Sequence, residues 1–324
     1  MRMLSRTIAG LGFALLSAIG PALAQGYPAK PIRMIVPYTP GGSIDTVGRI
    51  VADEMQRILG QPIVIDNKPG ASGMIGSQEA ARAPADGYTL LFNASSQVYM
   101  PLVVGRKTYD AEKDFTPIAQ VGYVPLAVVL NPAVPGKTLA EFAALARSQP
   151  GKLTWATSGL GTTSHLTEEM INRQLKLDME IVLYKGAAPQ LTDVVGGHVS
   201  AAVSPLPGVS PFIKAGKLKA VAVTSAKRLA SMPDVPTVAE SGMPGFELLS
   251  WYGLWGPANM PKEVVAKLNA AVHQAVKNPT VRARFAELSF ETADNTPAQF
   301  SVLIQDEIRR VGQVVKAANI RIDP

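Results

Sequence analysis

Cysteine is absent from all 324 residues, which excludes disulfides, thiolate nucleophiles and cysteine-held metals. Histidine occurs three times, at His165, His198 and His273, without metal-ligand spacing, so we expect neither a metal nor a cofactor. Aromatic residues make up 6% of the chain, and its 31 basic and 25 acidic side chains are scattered. Nucleic-acid binding calls for a basic stripe interleaved with aromatics, and the sequence has none. Beyond residue 24, charges or prolines interrupt every apolar run before it reaches the length of a membrane span. Phosphate and nucleophile motifs are also missing. No Gly-Lys-Ser/Thr follows a glycine turn, and there is no G-x-S-x-G elbow. Gly70-x-x-Gly73-x-x-Gly76 lacks the G-x-G core of a dinucleotide fingerprint.

What is present begins with an export signal. Arg2 and Arg6 precede the apolar run Ile8–Ile19, and Pro21-Ala-Leu-Ala24 ends in a small-x-small cleavage pattern. We expect residues 1–24 to be removed near Ala24 and the rest to work in the periplasm. Removal takes away two arginines and no acids, which leaves a mild basic excess suited to anionic ligands in a cleft. The remaining length allows two domains of ordinary size.

From Pro31 onward, short β-like runs alternate with helical patterns. The strand runs are 32–36, 63–66, 89–93, 118–130, 153–157, 181–183, 201–203, 218–224 and 249–256. Thr138-x-x-Glu141 and Thr296-Pro297-x-Gln299 are helix-start signals, and Asn259-Met-Pro-Lys262 opens another helix. The alternation predicts an α/β fold with two mostly parallel sheets. The run 118–130 is long for one strand, and the aromatic run 249–256 carries a central Gly253. If both pass between lobes, residues 25–123 and 253–324 make a first, discontinuous lobe, and 124–252 make a second. A cleft then lies between them.

Six places put glycine or polar residues at the carboxyl end of a strand, where open α/β sheets bind ligands. The first holds Tyr38, Pro40, Gly41, Gly42, Ser43 and Asp45, with Asp45 or Ser43 expected as the cap of the following helix. The others are Pro69–Gly73, the turn with Asn93, Ser95 and Ser96, the turn with Ser158, Gly161, Thr162 and His165, the turn with Tyr184 and Gly186, and Ser204. Gly41-Gly42 and Ser158-Gly-Leu-Gly161 each read as strand, glycine turn, helix. The first amides of such a helix lack partners, and its positive end suits a carboxylate. Any one of these loops is equally well explained as a bare connection. Together they point to one ligand cleft. A hydrolase reading rests on His165 with Ser158 or Ser164 and Asp45, and it requires all three groups within hydrogen-bond reach.

Several ordered motifs then carry a resemblance. Tyr27-Pro-x-Lys-Pro-Ile-Arg33, Val36-Pro-Tyr-x-Pro-Gly-Gly42 with Asp45 and Arg49, and Asp66-Asn-Lys-Pro-Gly-Ala-Ser-Gly73 resemble the Bug family. So do Ala85-Asp-Gly-Tyr-Thr-Leu90, Tyr184-Lys-Gly186, Ala215-Gly-Lys-Leu218, Thr224-Ser-Ala-Lys-Arg228 and Pro233-x-Val-Pro-Thr237. That family comprises periplasmic receptors of tripartite tricarboxylate transporters. The resemblance implies a venus-flytrap binding protein without catalysis, which holds a carboxylate through main-chain amides and bridging waters in the same loops. Where Ser204 stands, the family often carries an acid, and its absence here favours a ligand without an amine. The implied partners are a small organic carboxylate and inner-membrane permease subunits, with a two-component sensor kinase as the alternative. We expect a monomer.

Overall fold

The computed structural model describes residues 26–104 and 108–317, so the expected signal segment lies outside the described residues. Its first part runs β1 (Ile32–Val36), α1 (Ser43–Leu59), β2 (Ile63–Asn67), α2 (Met74–Ala81), β3 (Thr89–Ala94) and α3 (Ser96–Val103). The long strand β4 (Phe115–Leu130) leads to α4 (Leu139–Ser148), β5 (Thr154–Thr157), α5 (Thr163–Gln174), β6 (Glu180–Leu183) and α6 (Ala187–Gly196). Next come β7 (Ala201–Pro205), α7 (Leu206–Lys214), β8 (Lys219–Val223) and β9 (Leu249–Pro257). The chain closes with α8 (Lys262–Lys277), α9 (Pro279–Glu287), the short β10 (Glu291–Thr292) and α10 (Pro297–Ala317).

The strands join in the order β2-β1-β3-β9-β4-β7-β5-β6, with β8 and β10 also on β4. Among the named strands described, parallel pairing joins β1 with β2 and β3, and β5 with β6 and β7, and one isolated parallel bridge links Val223 to Thr237. Every pairing of β4, and that of β3 with β9, is antiparallel. The pairing is therefore mixed, less parallel than the alternation of strands and helices predicts. One strand carries the chain out of the first sheet and another brings it back, so β4 and β9 run in opposite directions.

The change of partner on β4 is sharp. Phe115–Pro125 pairs with β9, and Leu126–Leu130 pairs with β7 and β8. Pro125 has no N–H to offer a ladder. The next amide, on Leu126, donates to Thr224 Oγ1 at 2.8 Å, and the Thr224 amide donates back to the Leu126 carbonyl at 2.9 Å. On the return path, Leu248 donates to the Thr224 carbonyl, and Leu249 is already opposite Pro125. Gly253 therefore sits in mid-strand, opposite Asn93 and Gln120. Its missing side chain makes room for Phe300 of α10, which packs on Trp251 and Trp255 with ring centroids 5.7 and 5.2 Å away.

Local signals account for the elements. Ile32, Met34 and Val36 alternate onto one face of β1, against Val47, Val51 and Met55 of α1, while Ile35 joins the opposite core. Thr138 accepts from the Glu141 amide at 3.2 Å, and the Glu141 carboxylate takes the Lys137 amide, one residue before the usual capping-box donor. Thr296 and Gln299 cap α10 in the same reciprocal way.

Gly253→Ala tests the packing of the central strand. The added Cβ would lie 2.4 Å from Phe300 Cζ and 2.9 Å from Trp255 Cη2, in a fully buried aromatic cluster. We expect about 1–3 kcal/mol of lost stability, read as a lower urea midpoint with an unchanged slope.

Candidate functional site

The turn after β1 is built on glycine. Gly41 has φ +83°, a left-handed conformation that glycine adopts without strain. Gly42 is the N-cap of α1, with extended backbone and no side-chain cap. This corrects the expectation of Asp45 or Ser43 as the cap. The helix begins at Ser43, so Asp45 falls in its first turn, and its carboxylate reaches back to the Gly41 amide at 2.9 Å. Arg49 grips the same carboxylate through Nε and Nη2, each at 2.9 Å, and Asn67 Nδ2 adds a bond at 3.0 Å. Burial alone would raise the Asp45 pKa. The bonds from Arg49, Gly41 and Asn67 outweigh it and hold the group below the usual carboxylate range. Asp45 is thus a fully engaged clamp on the turn. The first helical bond runs from Thr46 to Gly42, which leaves the Ser43, Ile44 and Asp45 amides without a partner inside α1.

The turn after β5 repeats this design with different side chains. Thr162 caps α5, accepting from the His165 amide at 3.1 Å and donating to the Gly159 carbonyl at 2.8 Å. His165 Nδ1 accepts from the Gly161 amide at 3.4 Å, and Nε2 lies 4.0 Å from Glu169. Burial lowers the His165 pKa, so the ring is neutral and shapes the loop. The hydrolase reading fails on this geometry. The imidazole nitrogen is committed to a backbone amide, and Asp45 is held by three other groups.

The two turns face one pocket of about 490 Å³, part of it open to solvent. Of the expected site residues, Tyr38, Gly42, Ser43, Asp45, Ser96, Ser158 and Thr162 line it. Others hold the walls from behind. Asn93 is locked to Gln97, and Ser95 Oγ bridges to Thr163 Oγ1 at 2.7 Å. Gly161 lies against Met100, and Gly186 lies against Thr39, where a Cβ would come within 2.5 Å of the threonine hydroxyl. Ser204 is fully buried beneath the lining residue Pro205. Pro40 and Gly41 are exposed outside the pocket lining, and the Tyr184 hydroxyl points to Asp193 at 2.7 Å. From the Pro69–Gly73 loop, Ser72 Oγ accepts the Leu160 amide at 2.9 Å and ties the two turns together.

Ile44, Ala94, Thr163 and Ser164 also line it, inside the expected loops 38–45, 93–96 and 158–165, whereas sequence reading missed Ala187, Pro205, Ser250 and Tyr252. Ala187 adjoins another expected turn. Ser250 and Tyr252 gave no local signal, because they reach the pocket through the pairing of β9, Tyr252 opposite Ala94 of β3 and Ser250 opposite Val124 of β4. The Tyr252 hydroxyl is buried beside Ser43 and Ser250, and burial pushes it up to about 12, so it remains protonated near neutrality. No lysine, arginine or histidine lines the pocket. A negative group here would meet helix amides and neutral hydroxyls.

Asp45→Asn tests the clamp. We expect about 1–2 kcal/mol of lost stability at neutral pH, since hydrogen bonds to a charged group weaken. The lowered pKa means that this contribution is present above the ordinary carboxylate range and is lost as pH falls through Asp45's own value. Urea denaturation of the two proteins should therefore converge at acid pH.

Comparison with known proteins is consistent along the chain. Residues 47–320 match the tripartite tricarboxylate transporter family receptor. Protein BugT of Bordetella pertussis is 35% identical over 98% of this chain and 99% of its own length. A Pseudomonas protein from the tcbD-tcbE intergenic region is 33% identical over 94% of this chain and 91% of its own. The structure superposes on periplasmic binding protein BugD with a TM-score of 0.88, at 32% identity over 91% of this chain and 99% of that one. Malate-bound MatC of Rhodopseudomonas palustris gives 0.85, at 35% identity over 89% of this chain and all of that one. The fold, the facing helix N-termini and these matches agree: the chain belongs to the tripartite tricarboxylate transporter receptors, the Bug-type periplasmic solute-binding proteins, and is a receptor rather than an enzyme.

Proposed function

We propose that this receptor captures a small organic carboxylate between two lobes and presents it to the permease subunits of a tripartite transporter in the inner membrane. One observation carries the reading: the N-termini of α1 and α5 face a single pocket that has hydroxyls but no available cation. Each charge-assisted bond from such donors contributes ~1.5–3 kcal/mol. Two facing turns suit the two ends of a dicarboxylate. In support, relatives of similar length were solved with malate and with adipate. The lobes are residues 25–123 with 253–324, and 124–252, and the changes of strand partner near Pro125 and Leu248 fit this division to within a few residues. Lobe closure excludes water and is the state that a permease reads. The protein reaches the periplasm through the export signal of residues 1–24.

A thermal-shift screen of the mature protein against dicarboxylates and their amides tests the ligand class. We expect malate or adipate, and not the diamides, to raise the melting temperature by mass action. Response to the amides instead would refute anion capture. Gly42→Val tests the site. A Cβ at Gly42 would meet Ala187 Cβ at 3.5 Å, an ordinary contact, so the fold should tolerate it, whereas the valine methyls enter the pocket. We expect affinity by calorimetry to fall by at least about tenfold, ~1.4 kcal/mol. Unchanged affinity would exclude this loop from the site.

A further inference from the structure

Beneath the pocket lies a second polar cluster that the reading above leaves unused. Parallel pairing of β5 with β7 ends at Ala156 and Ala202, and the two strands then part. Two side chains fill the gap, and both are fully buried. Glu168, from α5, accepts the Val203 amide at 3.1 Å through Oε1. Gln190, from α6, donates to the Ala156 carbonyl at 2.6 Å and faces the Val203 carbonyl at 3.3 Å. Glu168 Oε2, Gln190 Oε1 and Ser204 Oγ have no partner, and the Thr157 hydroxyl faces the Glu168 carboxyl without closing a well-formed bond. Each lies directly under the site. Ser158, Pro205 and Ser164 line the pocket, and they are the neighbours of Thr157 and Ser204 and the residue one helical turn before Glu168.

We infer that Glu168 is a positioning residue that couples anion capture to a proton. Its carboxyl stays protonated while a carboxylate occupies the site, and its ionisation expels that carboxylate. The inference rests on the carboxylate reading above. Among the described residues, no cation offsets a charge at Glu168. Strands β5 and β7 carry no titratable side chain, and α6 offers Gln190, with Asp193 taken up by Tyr184. On α5 itself the neighbours are neutral His165 and the acid Glu169, and in the segment packed behind the helix Glu240 is held by Arg228. Burial raises the Glu168 pKa well above the ordinary glutamate value, against the lowering by Val203 and Thr157. The four-residue step from Ser164 to Glu168 rises about 6 Å along the helix. At ~8 Å and an effective dielectric of about 20, a charge on Glu168 would weaken an anion at the α5 N-terminus about 30-fold. The same charge would oppose the helix dipole that attracts the anion. A neutral acid donates a hydrogen bond and leaves the dipole intact.

The test is calorimetric titration with malate from acid to mildly alkaline pH, in buffers of different ionisation heat, on the wild type and on Glu168→Gln. Because the Glu168 pKa is raised, binding is strongest below that value and weakens as pH rises through it. We expect wild-type affinity to fall by about 30-fold in total as pH rises through that point and then to level off, with net proton uptake where malate is fully ionised. Glu168→Gln should bind at the wild-type acid level, without the slope and without proton uptake. Thr157→Val removes a group that stabilises the ionised form, so it should move the wild-type midpoint to higher pH and keeps the test open if the glutamine variant does not fold. A flat wild-type profile, or a slope retained in Glu168→Gln, overturns the inference. If malate and adipate bind no form of the protein, the carboxylate reading has failed on its own. The ligand-free melting curves then decide for Glu168: stability lost with rising pH in the wild type alone supports a buried neutral acid, and identical pH profiles in both proteins overturn it.

Discussion

An α-helix cannot satisfy its own first amides, and that deficit is the constraint around which this molecule is arranged. The α1 and α5 N-termini line the same pocket. Glycine turns let the backbone itself form the surface there, because a side chain would stand where a ligand approaches. The caps also differ in a way that suits the task. At α1 the cap is Gly42, which leaves the amides uncovered, and Asp45 spends its carboxylate one step back on Gly41. At α5, Thr162 and His165 consume bonds within the turn and hold its shape.

Two strands make this confrontation possible. β4 pairs with β9 over its first part and with β7 and β8 over its last, and proline marks the exchange. The outward and returning strands are neighbours, so the segment between them is joined to the rest of the sheet along β4 and β9. The segments that meet at the pocket touch through polar and apolar groups alike: Ser72 with Leu160, Ser95 with Thr163, Gly161 against Met100, and Gly186 against Thr39. The two hydrogen bonds among them, Leu160 to Ser72 and Ser95 with Thr163, are worth only about 0.5–1.5 kcal/mol net each.

Two carboxyls near the pocket are treated in opposite ways. Asp45 is surrounded by donors, among them a guanidinium, and is held charged. Glu168 is buried with one backbone amide and no cation, and burial favours its neutral form. Charge near an anion site is tolerable when it is neutralised by a partner or by a proton, and the protein uses both. The free hydroxyls and amides of the pocket are then the groups left to meet a negative ligand.

Local sequence determined the elements and their ends. Period-2 burial in β1, the Thr138–Glu141 and Thr296–Gln299 signals and the glycine turns at 41–42 and 159–161 act within a few residues of themselves, so composition and spacing reveal them. The carboxyl-end rule also pointed to loops 38–45, 93–96 and 158–165, which share one pocket, while 69–73, 184–186 and Ser204 lie outside its lining. Tertiary structure decided the rest. Which loop residues face the pocket depends on neighbours far away in sequence: Ser250 and Tyr252 enter through β9, while Asn93, Ser95 and His165 turn away to hold other parts of the fold. Gly253 reads as a hinge on its own and is a packing position only because Phe300 arrives from α10. The protonation of Glu168 depends on two strands parting and on no cation reaching the gap. Burial and partners are properties of the folded surroundings, and no stretch of chain carries them by itself.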